Sequence, residues 1–126
     1  MPNQPTTIAE LGRLVAGADD KRRWLHLEGF LAKYRSSPTP GRSALLEERP
    51  SATGDQHWDA LLGALAEHLA FYDDRPPPDW VEDQERFLDT FWFPENTPEG
   101  RAHSLVQAPA SFMRRGVFVP REKVGP

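Results

Sequence analysis

The clearest structural signal in the chain is the segment DQHWDALLGALAEHLAFY, residues 55–72. Its large apolar residues recur at three- and four-residue intervals, the spacing of an amphipathic helix. Asp55 stands where an N-cap is expected, because its carboxylate can accept hydrogen bonds from the free amides of a first turn. The segment therefore predicts a helix that forms the central wall of the core through Trp58, Leu61, Leu62, Leu65 and Leu69.

The sequence before this segment predicts three further helices. Glu10 completes a capping-box pattern at the start of the first, and Gly17 is placed to end it. The second runs to about residue 35, with Trp24 and other large apolar residues on one face. Pro40 stands at the first helical position of the third. The expected N-caps are, in order, Thr7, Asp19 or Asp20, and Thr39.

The sequence after the central helix predicts a stiff proline-rich connector and then short elements. A helical turn is expected at 78–82, and Phe112 and Met113 are expected to point inward from a last turn. Other expected elements are a helix at 83–91, a helix at 98–107 capped by Thr97, and an extended piece at 117–119. The fold class predicted is all-α, a single domain over 1–126 with five to seven mostly short helices and flexible tails at 1–5 and 120–126.

Composition excludes several classes of protein. The chain has 126 residues and no cysteine, which fits one domain and rules out disulfides, thiolate catalysis and cysteine-based metal sites. The N-terminus lacks the basic and apolar regions of a secretory signal. The most apolar run, 58–71, is interrupted by charged residues, so we expect no membrane span. These features predict a cytoplasmic protein.

Charge is strongly segregated along the chain. Residues 1–50 carry 8 Lys/Arg and 6 Asp/Glu, residues 51–100 carry 2 and 12, and residues 101–126 carry 5 and 1. The net charge of −4 therefore hides an acidic middle between two basic ends. Such segregation favours a domain that presents an acidic face and a basic C-terminal end to another macromolecule.

No residue pattern predicts catalysis, a metal site or a cofactor. His57 and His68 share a helix face but lie about 16 Å apart along its axis, too far to bind one ion. The adjacent carboxylates in the acidic middle lie in polar connectors, where nothing separates their pKa values for acid–base work. No glycine-rich phosphate loop and no nucleophile elbow is present. We therefore expect a protein that is not an enzyme.

The run Phe91-Trp92-Phe93 predicts that at least one of these rings lies at the surface or in a groove, because three consecutive aromatic side chains cannot all face one core. Aromatic and arginine side chains dominate the energy of many protein interfaces. A C-terminal half wrapped around these rings is the alternative. The residues expected to bind a protein partner are Asp73, Asp74, Trp80, Glu82, Asp83, Trp92, Phe93, Arg114 and Arg115. Arg114 and Arg115 could instead contact phosphates, as in a DNA-binding regulator, although the acidic middle would repel nucleic acid.

Several runs carry a family resemblance that covers most of residues 20–119: RRW at 22–24, EGFL at 28–31, PSATGDQHWDALL at 50–62, AEHLA at 66–70, PDWV at 78–81, RFLD at 86–89, FWF at 91–93 and APASFMRRGVF at 108–118. In these runs the chain resembles a family of short bacterial proteins encoded beside nucleotidyltransferase-type toxins. The resemblance implies an antitoxin or regulatory partner with no catalytic residues. It suggests that the acidic, aromatic-edged stretch 73–99 masks the substrate groove of the toxin.

Overall fold

A computed structural model describes residues 5–125 of the chain. Seven α-helices follow one another within that range: α1 (Ile8–Ala16), α2 (Asp20–Ser36), α3 (Thr39–Glu47), α4 (Gln56–Tyr72), α5 (Pro98–Gln107), α6 (Ala110–Met113) and α7 (Arg121–Val124). Two 3-10 turns, Asp79–Glu82 and Gln84–Arg86, lie between α4 and α5. One isolated bridge between Trp92 and Val117 is the nearest approach to a sheet in the described residues. The predicted all-α fold is confirmed.

Helix α4 is the centre of the molecule. The five large residues of its predicted stripe are buried, and so are small residues on its other sides, including Ala60, Gly63, Ala64 and Ala66. Small side chains let neighbouring elements approach closely, so α1, α3, α6 and both 3-10 turns pack directly on α4. α2 packs on α1 and α7 in an outer layer. α4 is therefore a helix buried on most sides, more enclosed than the amphipathic helix that its apolar stripe predicts.

Local capping signals set the starts of most helices. Thr7 and Glu10 form the capping box of α1, and Asp19, Asp55 and Thr97 cap α2, α4 and α5 as predicted. Thr39 is different, since it is the first residue of α3 and the cap position belongs to Pro38, which makes no side-chain cap bond.

The predicted helix at 83–91 is wrong. After the turn Gln84–Arg86 the chain is irregular, with bends at Phe87, Asp89 and Thr90, and its backbone bonds to the C-terminal segment instead of forming helical hydrogen bonds. The amide of Leu88 donates to the carbonyl of Arg115 at 3.0 Å, and that of Trp92 donates to Gly116 at 2.8 Å. Gly116 makes this approach possible with φ at +83°, a conformation that favours glycine.

The predicted C-terminal tail at 120–126 is also wrong for the residues that the structure describes. Arg121–Val124 forms α7, and Val124 is fully buried in the core cluster with Val117 and Val119. Met113, expected inward, is exposed, whereas Phe112 is fully buried as predicted. At the other end, residues 1–4 of the predicted tail lie outside the described residues, and Pro5 is buried.

Two buried arginines hold the elements around α4 together. Arg86 donates to the carbonyl oxygens of Asp59 at 3.1 Å and Pro50 at 2.9 Å, and it lies over the Trp80 ring at 4.9 Å. Arg115 donates to the carbonyl of Val81 at 2.8 Å. These bonds satisfy backbone groups that would otherwise be buried without a partner. The two arginines thereby fix the irregular segments 50–55 and 79–92 against the helical core.

Candidate protein-binding surface

Six of the twelve carboxylates of the acidic middle form ion pairs within the molecule. Within residues 5–125, every ion pair between Lys or Arg and a carboxylate joins a cation from the basic ends to a carboxylate of the acidic middle. The charge segregation of the sequence therefore encodes internal pairing as well as a surface. The pairs are Arg23–Asp55, Arg42–Asp73, Arg49–Asp83, Arg114–Glu67, Arg114–Glu82, Arg115–Glu67 and Lys123–Glu95.

Asp73 belongs to a polar cluster at the end of α4. It accepts hydrogen bonds from the Tyr34 hydroxyl at 2.6 Å and from Arg42 at 3.1 Å. Burial raises the pKa of Tyr34, and the bond to Asp73 raises it further. Asp74 follows in the left-handed region, with φ at +56°, and is exposed. Of these two predicted site residues, Asp74 is the one whose carboxylate is available to a partner.

The predicted basic pair has two different environments. Arg115 is buried and forms an ion pair with Glu67, so the prediction that it contacts a partner or phosphates does not fit its position. Burial also lowers the pKa of Arg115. Arg114 is exposed but lies between Glu67 at 3.1 Å and Glu82 at 2.6 Å. Asp83, the remaining predicted acid, pairs with Arg49 at 3.4 Å.

The predicted aromatic residues also differ in how exposed their side chains are. Trp80 is 7% exposed and donates its indole N–H to the carbonyl of Leu46, so little of this predicted partner-binding residue is available at the surface. Trp92 is half-buried and stacks on His57 with centroids 4.6 Å apart. Phe93 is half-buried and stacks on Phe118 at 4.9 Å. The prediction that one of the three consecutive rings lies at the surface is confirmed by Phe91, which is 71% exposed.

A groove of about 610 Å³ lies between α3 and the proline-rich connector that follows α4. It brings together Asp73 and Trp80, both predicted site residues, with two carboxylates that the sequence did not single out, Glu47 and Asp79. Both are exposed and make no ion pair within residues 5–125. The full lining is Ser43, Leu46, Glu47, Ala70, Asp73, Arg75, Pro76, Pro77, Pro78, Asp79 and Trp80.

The sequence offered no direct signal for Glu47. It belongs to the basic segment 1–50, where it is the exposed last residue of α3, and only the fold places it in the same groove as Asp79. With three lining carboxylates and Arg75 as the single lining cation, the groove is acidic. Prolines form one wall, which fixes the backbone there without a bound partner. The arrangement suits a cationic side chain whose apolar stem packs on proline.

The described residues hold no group of three or more metal-ligating side chains. No helix in residues 5–125 has the length and apolar character needed to cross a membrane. Comparison with protein-family models, with curated proteins and with solved structures returns no match.

Proposed function

We propose that this chain is a non-catalytic protein-binding module whose contact surface is the acidic groove between α3 and the proline-rich connector. The observation that carries the proposal is the pair of exposed carboxylates, Glu47 and Asp79, that face this groove and have no ion-pair partner in the described residues. The partner presents a basic segment. From the family resemblance, that partner is a nucleotidyltransferase-type toxin in the cytoplasm, which this chain neutralises as an antitoxin.

The chemistry of the groove favours a Lys or Arg side chain of the partner. Its aliphatic stem packs on Pro77 and Pro78, while its charge lies between Glu47 and Asp79. Asp74 beside the groove adds negative potential that accelerates encounter with a basic surface. The rigid proline wall lowers the conformational entropy lost on binding. A toxin that binds nucleic acid needs a basic groove for its substrate. The acidic groove of this chain is complementary in charge to such a basic surface.

The alternative, a DNA-binding regulator, has weaker support. It requires Arg114 and Arg115 to contact phosphates, but Arg115 is buried and Arg114 already lies against two carboxylates. A duplex titration at low salt tests the alternative directly, since phosphate binding weakens steeply as salt rises.

The proposal is tested by co-purification with the neighbouring toxin and measurement of affinity at two salt concentrations. The variant Glu47→Gln/Asp74→Asn/Asp79→Asn removes the exposed carboxylates in or beside the groove that make no ion pair in the described residues, and it leaves the paired Asp73 in place. We expect it to bind at least about tenfold more weakly, with less salt dependence, because neutral amides do not attract a cation across solvent. The expected affinity loss corresponds to about 1.4 kcal/mol.

A matched control keeps the same change in net charge. Glu85→Gln/Asp89→Asn/Glu99→Gln neutralises three exposed carboxylates of the acidic middle that do not line the groove. We expect this control to bind like the unaltered protein. Equal losses in both variants would show that general charge drives binding, and no loss in either would show that the groove is not the contact surface.

A further inference from the structure

A second groove, of about 380 Å³, lies between α4 and α6. Its volume is within the range of sites that bind small molecules. It shares no lining residue with the acidic groove. The residues that line it are Glu67, His68, Phe71, Tyr72, Pro109, Ala110, Ser111, Arg114 and Arg121.

The apolar part of this groove contains two large aromatic side chains that the core does not use. Phe71 is 75% exposed and Tyr72 is 47% exposed, at consecutive positions in the last turn of α4. Pro109 and Ala110 line the groove from α6 and the residue before it. A flat ring that packs against these exposed aromatic side chains removes a large apolar area from water, which favours binding. The surface is suited to a ring in a ligand.

His68 adds a buried hydrogen-bond acceptor to the same groove. The residue is 5% exposed, and its Nε2 atom is itself buried and has no partner in the described residues. The backbone of Gly125 favours a proton on the other ring nitrogen, which leaves Nε2 with a lone pair in the neutral ring. Burial lowers the pKa of His68 and thereby keeps the ring neutral. The group that satisfies Nε2 must therefore be a donor, such as a hydroxyl.

Arg121 adds a cation at the rim. Its guanidinium bonds to the Tyr72 hydroxyl at 3.4 Å and makes no ion pair within residues 5–125. The other lining arginine, Arg114, forms ion pairs with Glu67 and Glu82. A guanidinium binds a carboxylate in a bidentate geometry, so the unpaired guanidinium of Arg121 favours an acidic ligand.

We propose that this groove binds a small aromatic carboxylic acid that carries a ring hydroxyl. The ring packs against Phe71 and Tyr72 and the carboxylate pairs with Arg121. The hydroxyl donates to Nε2 of His68, which a side-chain movement on binding must first uncover because that atom is buried in the free protein. The site is separate from the acidic groove, and its occupancy does not depend on the proposed protein partner.

The test is an NMR titration of the isotope-labelled full chain with 3-(4-hydroxyphenyl)propionate. We expect amide shifts to concentrate at Phe71, Tyr72 and Ala110. Tyramine, with the same ring and hydroxyl but an ammonium group, should cause none of these shifts because Arg121 repels it. The compound without the hydroxyl, 3-phenylpropionate, should bind about 3- to 10-fold more weakly through loss of one hydrogen bond. Equal shifts with tyramine, or no localised shifts with the hydroxy acid, would overturn the proposal.

Two variants assign the polar contacts. Arg121→Gln changes an exposed side chain and should weaken binding of the hydroxy acid about tenfold or more. The control Arg22→Gln changes an exposed arginine of α2 and should leave that affinity unchanged. His68→Leu should remove the preference for the hydroxy acid over 3-phenylpropionate. If that variant does not fold, the Arg121→Gln comparison and the three-ligand series still decide the outcome. Equal affinity in the two arginine variants would refute the assigned carboxylate contact and with it the proposal.

Discussion

Gly63 lies on the face of α4 where the two buried arginines meet. A Cβ atom at this position would stand 3.0 Å from the Cβ of Arg86 and 3.3 Å from Nε of Arg115. Neither neighbour is free to withdraw, because both guanidinium groups are anchored to backbone carbonyls. The glycine is therefore required by packing, even though it sits inside a helix, where its backbone freedom is a cost.

Gly63→Ala should consequently lower the free energy of unfolding. Overpacking costs about 1–3 kcal/mol, more than the gain in helix propensity of about 1 kcal/mol. Gly41→Ala in α3 is the matched control, since a Cβ there meets nothing within 4 Å. We expect that control to stabilise the protein by up to about 1 kcal/mol. Urea unfolding of both variants measures the two effects, and a stabilised Gly63→Ala variant would contradict the packing argument.

His68 predicts a dependence of stability on pH. Its folded pKa is lowered below the ordinary value of 6.5, with burial as the main cause and Arg121 as a nearby charge of the same sign. The unfolded chain therefore binds a proton at higher pH than the folded protein does. Stability is fully present above the unfolded pKa and falls as the pH drops below it, by at most about 1.4 kcal/mol per pH unit.

Urea unfolding between pH 7.5 and 5.5 measures this slope. His68→Leu should flatten it, because the variant has no imidazole to protonate. His26→Gln, a change at a half-exposed histidine of α2, should leave the slope in place. An unchanged slope in His68→Leu would mean that other groups determine the pH dependence.

At the scale of elements, the C-terminal segment supplies much of the core around α4. Val124 of α7 is fully buried, whereas Val106 near the end of α5 is exposed. Val124→Ala should lower the free energy of unfolding by about 1–3 kcal/mol through lost burial and a residual cavity. Val106→Ala removes the same atoms from the surface and should have little effect. Thermal unfolding distinguishes the two, and equal midpoints would mean that α7 contributes nothing to stability.

Sequence reasoning succeeded where the determining interactions are local. The capping residues Thr7, Asp19, Asp55 and Thr97 lie within four residues of the amides they bond, so their patterns are visible in the chain itself. It failed at 83–91, where the backbone pairs with residues more than twenty positions away. α7 was missed for a related reason, since a four-residue helix is stabilised by packing and not by its own hydrogen bonds.

The candidate site was predictable only in part. Asp73 and Trp80 do lie in the acidic groove, but one is paired and the other buried. Composition identified an acidic middle without indicating which carboxylates remain outward, because that depends on the position of each arginine in the fold. Glu47 was overlooked because it lies far from Asp79 in sequence, and only the packing of α3 on α4 puts both residues in the lining of one groove.

At the scale of the whole molecule, the acids of the middle segment divide into an inward and an outward set. Asp74, Asp79, Glu85, Asp89 and Glu99 are exposed and make no ion pair in the described residues. Neutralising any one of them to Asn or Gln should change the free energy of unfolding by no more than about 0.5 kcal/mol.

The inward set should behave differently. Asp73→Asn should cost about 1.5–3 kcal/mol, because Asp73 is mostly buried and accepts charge-assisted bonds from Arg42 and the Tyr34 hydroxyl. Urea unfolding of this variant beside Asp74→Asn, a change at the adjacent exposed acid, gives a matched comparison. Similar losses at both positions would contradict the division of the acids into two sets.

The position of Phe112, Val117, Val119 and Val124 in the core also has a consequence for synthesis. A ribosome makes α4 well before it makes the residues that cover it. During that interval the most apolar helix of the chain is open on the side later closed by α6 and the C-terminal segment, and Glu67 awaits Arg114 and Arg115. Exposed apolar surface of this kind promotes aggregation and recruits chaperones. Slow translation between α4 and α6 would therefore lengthen the period in which the nascent chain is vulnerable.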